Sequence, residues 1–564
     1  MKKSFSLMWL IVSMFALPLY AQFDTSELPD PKPGPQEAWQ TLKAPSLAWG
    51  TIDQRYSRSQ LPQTEKAPLL YAWRGERVSA QAVLATPKAL KGVSFEVSDL
   101  RSGRNVISAD NIRKYFVRYV LTDYYNAVRK DSFLMADRLD PVARLDIEAN
   151  TTRPLWLDIR VPHDAAPGKY SGKLTLHCEG NDLTLPLTLT VGKRELPAPK
   201  DWKFHLDLWQ NPFAVARYYN VPLWSQQHFD LMRPVMTRLA EAGQKVVTTS
   251  IIRHPWDSQT EDPFESMIVK MKHIDGTWTY DYTAFDKWVE FMMSCGITEQ
   301  IDCYTIVPWG FSFEYIDMAS SSLVEFTAQP GEKAYEEYLR PLLTDFAKHL
   351  KAKGWFAKTC IAMDERPMDL LRKAWDLLRS VDPGYRIQGA INYSPELVSM
   401  MYDVCLFYKY TDLPDGVLQE RQKAGEVTTF YTCCSPDHPN TFTFSPTAES
   451  AFLGWHVAQL GYDGYLRWAY NSWTIRPLQD SRYFKRTWLS GDCFFVYPGE
   501  SSIRMERLVE GIQAYEKVRI LRAEGVSEAK LKALLAPFGG TEYAEGADAA
   551  AIVRKANAAL RKLE

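Results

Sequence analysis

Several sequence signatures of common enzyme chemistries are missing from this 564-residue chain. It has no C-x-x-C pair and no H-E-x-x-H, and its 9 histidines are scattered, so the sequence predicts no metal site and no cofactor. It also lacks the G-x-S-x-G elbow of serine hydrolases and the G-x-x-x-x-G-K-[ST] loop that binds nucleotide phosphates. These absences argue against metallohydrolase, serine hydrolase and phosphate-loop chemistry.

An excess of positive charge is also missing. Lys and Arg number 66 against 68 Asp and Glu, which leaves no basic surplus to neutralise phosphates and argues against a nucleic-acid partner. With 46% hydrophobic residues the chain is globular, and 18 Trp, 29 Tyr and 26 Phe make it rich in aromatic rings. Aromatic faces with a polar edge suit the binding of sugars, although most such rings simply pack in a core.

The N-terminus has the pattern of a secretory signal. Lys2 and Lys3 precede an apolar run at residues 7–19, and a small residue, Ala21, ends the segment. We predict a signal peptide over residues 1–21 and export to the periplasm or beyond, with no membrane span, because the run is shorter than the ~20 apolar residues that a span needs. The Pro-rich leader at residues 22–45 is expected to form an extended tether.

Residues 46–195 alternate between apolar and polar side chains, as in the stretch from Leu183 to Val191. Period-two alternation interrupted by turn residues predicts half-buried antiparallel strands. Turns at residues 165–168 and 179–182 are expected to close hairpins. The region therefore predicts a β-sandwich domain.

Residues 201–500 change to a repeating strand–helix rhythm, which predicts a (β/α)8 TIM barrel. The eight predicted strands are Lys203–Trp209, Lys245–His254, Gln300–Pro308, Lys358–Glu365, Arg386–Asn392, Asp403–Lys409, Val427–Cys433 and Tyr462–Tyr470. Residues 501–564 predict a helical tail. The expected fold class is multidomain β plus α/β, with an N-terminal β-sandwich followed by the barrel and its C-terminal helical segment.

The fourth predicted strand ends in two adjacent carboxylates, Asp364 and Glu365. Barrel enzymes place their catalytic groups at the C-terminal ends of the strands, so this pair is the leading candidate for catalysis. Acids just before a helix, here with Pro367 near its first turn, also stabilise a helix N-terminus, and that structural interpretation stays open.

No carboxylate stands at the ends of the third, seventh and eighth predicted strands. A retaining glycosidase with a protein nucleophile needs a second carboxylate about 5 Å from the acid. A single acid pair in aromatic surroundings instead favours substrate-assisted catalysis, in which the sugar's 2-acetamido oxygen attacks the anomeric carbon. Glu365 would then be the acid and base and Asp364 would orient the amide, with like-charge repulsion leaving Glu365 protonated and Asp364 ionised.

Further residues near the predicted strand ends are candidates for binding substrate. They comprise possible hydroxyl donors, aromatic walls and hydroxyl-binding groups: Tyr393, Tyr408 and Tyr431; Trp309, Trp468 and Trp473; Asn392, Asn471 and Asp207. For each of them a packing role remains an alternative. Of the 8 cysteines, those in apolar strand-like runs, Cys303, Cys360, Cys405 and Cys433, are expected to be buried thiols.

At the Asp364–Glu365 pair the chain resembles glycoside hydrolase family 123, the β-N-acetylgalactosaminidases. Supporting segments are residues 162–172 in the predicted sandwich and residues 502–512 after the barrel. The resemblance implies retention of configuration, substrate-assisted catalysis and terminal β-linked N-acetylgalactosamine as substrate. It also implies that Asp364 orients the amide and that Glu365 is the acid/base.

Two alternatives remain open at the level of sequence. One is a non-catalytic glycan-binding protein of the cell envelope, in which the acid pair is vestigial. The other is a different glycosidase, either a β-N-acetylglucosaminidase or an enzyme with a loop nucleophile such as Glu314 or Asp437. The sequence decides neither GalNAc against GlcNAc nor the aglycone, disulfide pairing or oligomeric state.

Overall fold

The computed structural model describes residues 24–124, 131–178, 180–483, 488–540 and 548–564. The predicted signal peptide lies outside these residues. In the ranges described, no helix is both long enough and apolar enough to cross a membrane.

Two β-sheets face each other in the N-terminal domain, which confirms the predicted sandwich. Its strands are β1 (Ser46–Gly50), β2 (Leu70–Arg74), β3 (Arg77–Thr86), β4 (Leu90–Val97), β5 (Leu100–Ser102), β6 (Asn105–Ile107), β7 (Ile112–Thr122), β8 (Phe133–Asp140), β9 (Leu145–Ile147), β10 (Thr151–Arg160), β11 (Gly168–Cys178) and β12 (Asn181–Glu195). One sheet runs β1-β3-β10-β7-β8, and the other runs β2-β12-β11-β4-β9 with β5 and β6 beside β11. Leu155 and Leu157 of β10 enter the core between the sheets, whereas Trp156 on the opposite face packs in a second cluster.

Of the two predicted hairpin turns, the structure confirms one and contradicts the other. The turn near residue 180 joins β11 to β12 in an antiparallel pair, as predicted. The turn at residues 165–168 instead carries the chain from β10 in one sheet to β11 in the other. Turn residues signal a reversal of direction, but they do not state which strand the chain will pair with next.

The leader packs against the sandwich along its length rather than extending from it. Its Glu27 carboxylate accepts hydrogen bonds from Arg153 at 2.6 Å and Arg118 at 2.7 Å, and it pairs with Arg58 at 3.3 Å. Trp39, in the same leader, is buried. These ion pairs lower the pKa of Glu27, although burial opposes the shift.

Eight parallel strands form the predicted barrel, and each of the eight predicted strands is confirmed. The strands of the region are β13 (His205–Leu208), β14 (Val246–Ser250), β15 (Val269–Lys272), β16 (Trp278–Asp281), β17 (Gln300–Tyr304), β18 (Ser312–Asp317), β19 (Ser322–Thr327), β20 (Thr359–Met363), β21 (Arg386–Ile391), β22 (Asp403–Phe407), β23 (Val427–Tyr431) and β24 (Gly464–Arg467). The barrel order is β13-β24-β23-β22-β21-β20-β17-β14. The Lys245 N–H donates to the Leu206 carbonyl at 3.0 Å across the remaining seam, so the barrel is nearly closed.

Helices separate the barrel strands and cover the outside. They are α1 (Pro212–Tyr219), α2 (Gln226–Ala240), α3 (Thr283–Ser294), α4 (Lys333–Ala352), α5 (Met368–Val381), α6 (Pro395–Met400), α7 (Val417–Ala424) and α8 (Thr447–Leu460). The remaining strands of this region form a small sheet in the order β16-β15-β18-β19, built from the connections that follow β14 and β17. We did not predict this sheet, because its strands are short and their pairing is set by tertiary contacts.

The tail contains the helices α9 (Ile503–Ala523), α10 (Glu528–Leu535) and α11 (Ala549–Leu563), in agreement with the prediction. Just before α9, strand β25 (Ser501–Ser502) pairs with β8, so a segment that follows the barrel in the chain adds the edge strand of a sandwich sheet. Ion pairs support this junction: buried Arg138 of β8 binds Glu500 at 2.6 Å, and Arg504 binds Asp137 at 3.0 Å. The sandwich and the barrel therefore share both a sheet and buried charges.

Candidate active site

A cavity of about 180 Å³ opens at the C-terminal ends of the barrel strands and contains the predicted acid pair. Five tryptophans line it: Trp209, Trp256, Trp309, Trp468 and Trp488. Its carboxylates are Asp364, Glu365 and Asp492. A concave, mostly aromatic site with a few converging polar groups is the usual form of a ligand-binding pocket.

Strand β20 positions the acid pair. All five of its residues are buried, so the chain leaves the barrel core at Asp364, which is partly buried, and reaches solvent at Glu365. The Trp309 indole N–H donates to Asp364 Oδ2 at 2.7 Å, and the Glu365 backbone N–H donates to Asp364 Oδ1 at 2.9 Å. Asp364 is therefore held in one orientation, whereas the Glu365 side chain faces the open part of the cavity.

Arg366 packs against Trp309, the residue that donates a hydrogen bond to Asp364. Its guanidinium lies 4.7 Å from the ring centroid of Trp309 and 4.6 Å from that of Phe311. Burial lowers the pKa of Arg366. Because its ring stacks with Arg366, Trp309 keeps the orientation in which its N–H reaches Asp364.

Burial raises the pKa of Asp364 to about 6, and the nearby charge of Glu365 adds to that shift, whereas the Trp309 hydrogen bond opposes it. From the sequence we predict a protonated Glu365 and an ionised Asp364. In the structure Asp364 is partly buried, and this burial is the main cause of its raised pKa. Asp364 is still ionised at neutral pH and takes up a proton as the pH falls through about 6.

Tyr431, at the end of β23, donates its hydroxyl to Glu365 Oε1. Burial raises the pKa of Tyr431, and the neighbouring Glu365 raises it further, so the phenol remains a donor throughout the physiological range. Tyr431 is one of the hydroxyl donors predicted from the sequence. In the structure it also contacts the acid itself.

Aromatic rings form two walls of the cavity. On one side Trp209 stacks with Trp256 at a centroid distance of 5.0 Å, and Tyr304 packs beneath both rings. On the other side Trp468 meets Trp488 edge to face at 5.3 Å. Apolar walls of this kind suit the methyl group and the C–H face of a sugar.

Asp492 is a third carboxylate in the cavity that the sequence analysis did not identify. It is fully buried, and its Oδ1 accepts hydrogen bonds from Arg467 at 2.7 Å and from the Trp468 indole at 2.9 Å. Its Oδ2 is buried and has no hydrogen-bond partner among the described residues. Burial raises the pKa of Asp492, although its ion pair with Arg467 opposes this. A buried acceptor without a partner is unfavourable, so a donor group that reached this atom would gain a strong hydrogen bond.

Three of the predicted substrate-contacting residues, Trp309, Tyr431 and Trp468, line the cavity together with the acid pair. Asn392 is exposed and Tyr393 is half-buried after β21, and neither borders the cavity.

The other predicted contacts occupy packing positions. Tyr408 is buried against Phe430 and His456. The Asn471 side chain donates to the Asn211 carbonyl at 2.9 Å and so joins the end of β24 to α1. The Trp473 indole donates to the Val496 carbonyl at 2.8 Å.

Asp207 lies below the cavity, inside the barrel. Its Oδ2 accepts a hydrogen bond from the indole of Trp209 at 3.3 Å, so it supports a cavity wall without bordering the cavity. Burial raises its pKa to about 7; the nearby His205 opposes this shift and Asp403 adds to it. Within the described residues, no group of three or more His, Cys, Asp or Glu side chains is arranged to hold a metal ion.

Glu314 and Asp437, the loop nucleophiles considered from sequence, do not border the cavity. Glu314 forms an ion pair with Arg253 at 3.1 Å, and Asp437 is exposed. If a protein nucleophile is present in this cavity, Asp492 is the carboxylate placed to provide it.

Models of two protein-family domains match the chain. The glycoside hydrolase 123 catalytic domain matches residues 209–521, and the glycoside hydrolase 123 N-terminal domain matches residues 49–178. No curated protein matches the sequence.

A solved structure from the same family matches the chain over most of its length. A family 123 glycoside hydrolase from Clostridium perfringens, solved in a study of glycolipid glycan hydrolysis, has a TM-score of 0.83 and 25% identity over 92% of this chain and 97% of that one. A glycoside hydrolase 20 exo-β-N-acetylglucosaminidase from Vibrio harveyi is far more distant, with a TM-score of 0.21 and 8% identity over 70% of this chain and 82% of that one.

Proposed function

Because this chain belongs to glycoside hydrolase family 123 and is a glycan-hydrolysing enzyme, we propose that it releases terminal β-linked N-acetylgalactosamine with retention of configuration. The proposed mechanism is substrate-assisted. The observation that carries it is the pairing of an oriented, partly buried Asp364 with an accessible Glu365 in one aromatic cavity.

In the first step, the acetamido oxygen of the substrate attacks the anomeric carbon and the glycosidic bond breaks. Glu365 gives its proton to the departing oxygen, and the sugar becomes an oxazolinium ion. In the second step, Glu365 takes a proton from water as that water opens the ring at the anomeric carbon. Both inversions occur at the same carbon, so the configuration is retained.

Asp364 acts on the acetamido group in both steps. Its carboxylate accepts the amide N–H and stabilises the positive charge that the oxazolinium develops. Its hydrogen bond from Trp309 sets the orientation before substrate arrives, so little rearrangement is needed during the reaction. The tryptophan walls hold the acetamido methyl and the sugar face, and the hydroxyl of Tyr431 is within reach of the same region.

Asp492 is proposed to bind a sugar hydroxyl through its unpartnered Oδ2. Asp492→Asn is expected to raise KM by about tenfold with a smaller change in kcat, because a charge-assisted hydrogen bond to substrate is weakened before and during the reaction alike. Steady-state kinetics and inhibition by free N-acetylgalactosamine would measure this. Unchanged KM and inhibition constants would remove Asp492 from the binding site.

The function is tested with matched aryl β-glycosides of N-acetylgalactosamine, N-acetylglucosamine and galactose. We expect turnover of the N-acetylgalactosaminide and none of the plain galactoside, since the latter lacks the attacking acetamido oxygen. Preference for the N-acetylglucosaminide would keep the mechanism and change the substrate. Absence of turnover on all three would contradict the proposed substrate.

A second candidate function has one observation in its favour. Asp492 borders the same cavity as Glu365, so the two carboxylates could serve as nucleophile and acid in an ordinary retaining glycosidase. The ion pair between Asp492 and Arg467 argues against this, because it stabilises the carboxylate and lowers its nucleophilicity. Turnover of the galactoside would favour this candidate over substrate assistance.

A further inference from the structure

Two adjacent thiols, Cys433 and Cys434, line the cavity two and three residues after Tyr431. Cys434 is the one exposed cysteine of the eight, and Cys433 is half-buried, whereas the sequence analysis expected Cys433 to be a buried core thiol. The predictions for Cys303, Cys360 and Cys405 as buried thiols are confirmed. The pair is therefore placed where small molecules that enter the active site can reach it.

We propose that Cys433 and Cys434 form a reversible redox pair that closes to a vicinal disulfide and weakens sugar binding. Their sulfur atoms are 3.9 Å apart, so side-chain rotation and a small change in the intervening peptide would bring them to the bonding distance of about 2.0 Å. Neighbouring residues have Cα atoms only about 3.8 Å apart, closer than in ordinary disulfides, so the bond would be strained and easily reduced.

The two thiols differ in pKa and in exposure, and this difference favours thiol–disulfide exchange. The contact between the two thiols lowers the pKa of Cys434 and raises the pKa of Cys433. The exposed sulfur is therefore the better nucleophile, and the inner thiol keeps its proton until a mixed disulfide has formed.

The oxidant is a low-molecular-weight disulfide, for which oxidised glutathione is the probe. The Cys434 thiolate attacks one sulfur of the probe, which forms a mixed disulfide and releases one glutathione thiolate. The Cys433 thiol then gives its proton to that thiolate and attacks the Cys434 sulfur, which releases the second glutathione. Two protein thiols are oxidised by two electrons, and one glutathione disulfide is reduced to two thiols.

A hydrogen-bond chain connects the pair to the sugar-binding carboxylate. Asn440 donates to the Cys433 carbonyl at 3.0 Å, and its own side-chain oxygen accepts from Arg467 at 2.5 Å. Arg467 in turn holds Asp492 at 2.7 Å. The 433–434 peptide is part of the eight-membered ring that the disulfide would close, so even a small change in it moves the Cys433 carbonyl. That movement disturbs the contact with Asn440 and, through Arg467, the position of Asp492.

The test uses the purified full chain, equilibrated with oxidised or reduced glutathione. Peptide mass analysis of alkylated samples follows the thiols, and an aryl β-N-acetylgalactosaminide follows activity. We expect the peptide with residues 433–434 to lose two hydrogens on oxidation, and KM to rise about fivefold, as for the loss of one hydrogen bond. Excess reduced glutathione should reverse both changes.

Three variants sharpen the result. Cys434→Ser should make KM insensitive to oxidised glutathione, and Cys433→Ser should trap one glutathione on Cys434. Cys295→Ser, which removes the other half-buried thiol, should keep the full response. Failure to form the vicinal disulfide, or an oxidised enzyme with unchanged KM, would overturn the proposal.

The effect on KM rests on the proposed function, but the mass measurement does not. If no aryl glycoside is turned over, the proposed function fails, and the loss of two hydrogens at residues 433–434 still decides whether the thiols form a redox pair.

Discussion

Glu365→Gln is expected to lower turnover of a natural glycan linkage by about 10³–10⁴-fold, because a poor leaving group needs the proton that glutamine does not supply. An aryl glycoside with an acidic phenol leaves without that proton, so its first step should be affected much less. For such a substrate the slow step becomes hydrolysis of the oxazolinium intermediate, since Glu365 is also the base that activates water.

Comparison of leaving groups of increasing pKa on the wild type and on Glu365→Gln measures this directly. The kcat/KM of the variant, which reports the bond-breaking step, should depend steeply on leaving-group pKa, and that of the wild type only weakly. Asp437→Asn is a matched control, because Asp437 is an exposed acid near the cavity that does not border it. Equal losses of kcat/KM for good and poor leaving groups would show that Glu365 is not the acid.

Asp364→Asn is expected to lower kcat by about 10²–10³-fold for both classes of substrate. The acetamido group must be aligned and its charge stabilised whichever leaving group departs, so an acidic phenol does not rescue this variant. The single amide oxygen of the variant can replace only one of the two oxygens that accept from Trp309 and from the Glu365 N–H, so the loss combines removal of the charge with one lost acceptor. A variant that recovers activity on aryl substrates would exclude the orienting role.

The pH dependence follows from the raised pKa of Asp364. The reaction needs the ionised form, and the pKa of the free enzyme's carboxyl is about 6, so kcat/KM of the wild type should fall as the pH drops through about 6. The fall should approach tenfold per pH unit below that value. Residual kcat/KM of Asp364→Asn should not show this limb; if it does, another group titrates there.

Sequence patterns predicted the fold and the acid pair because both depend on local information. The change from period-two alternation to a strand–helix rhythm marks the two domains, and the end of a buried strand places Asp364 and Glu365 without knowledge of their neighbours. The residues that line the cavity at the C-terminal ends of the barrel strands could not be predicted from local patterns. Trp256 and Trp488 reach it from long connections, whose course depends on contacts that are distant in sequence.

The sequence contains an indirect indication of a buried acid such as Asp492. Arg467 ends a barrel strand whose other residues are apolar or small, and a guanidinium fully buried in such a strand needs a carboxylate partner. The sequence therefore implied a buried acid near the eighth strand. It did not identify Asp492, which is 24 residues beyond Trp468 in the chain although the two side chains are hydrogen-bonded.

The pairing of β25 with β8 has a consequence for the order in which the chain folds. During synthesis, β8 emerges more than three hundred residues before Ser501, so one sandwich sheet keeps an open edge until the whole barrel has been made. The buried charge of Arg138 is paired only when Glu500 has been made, and Asp137, which also binds Arg55, gains its second partner with Arg504. Contacts of such long sequence separation form slowly, and the sandwich cannot be completed as an independent N-terminal unit. The barrel must therefore be synthesised before the sandwich sheet gains its last strand, because that strand belongs to the segment that follows the barrel.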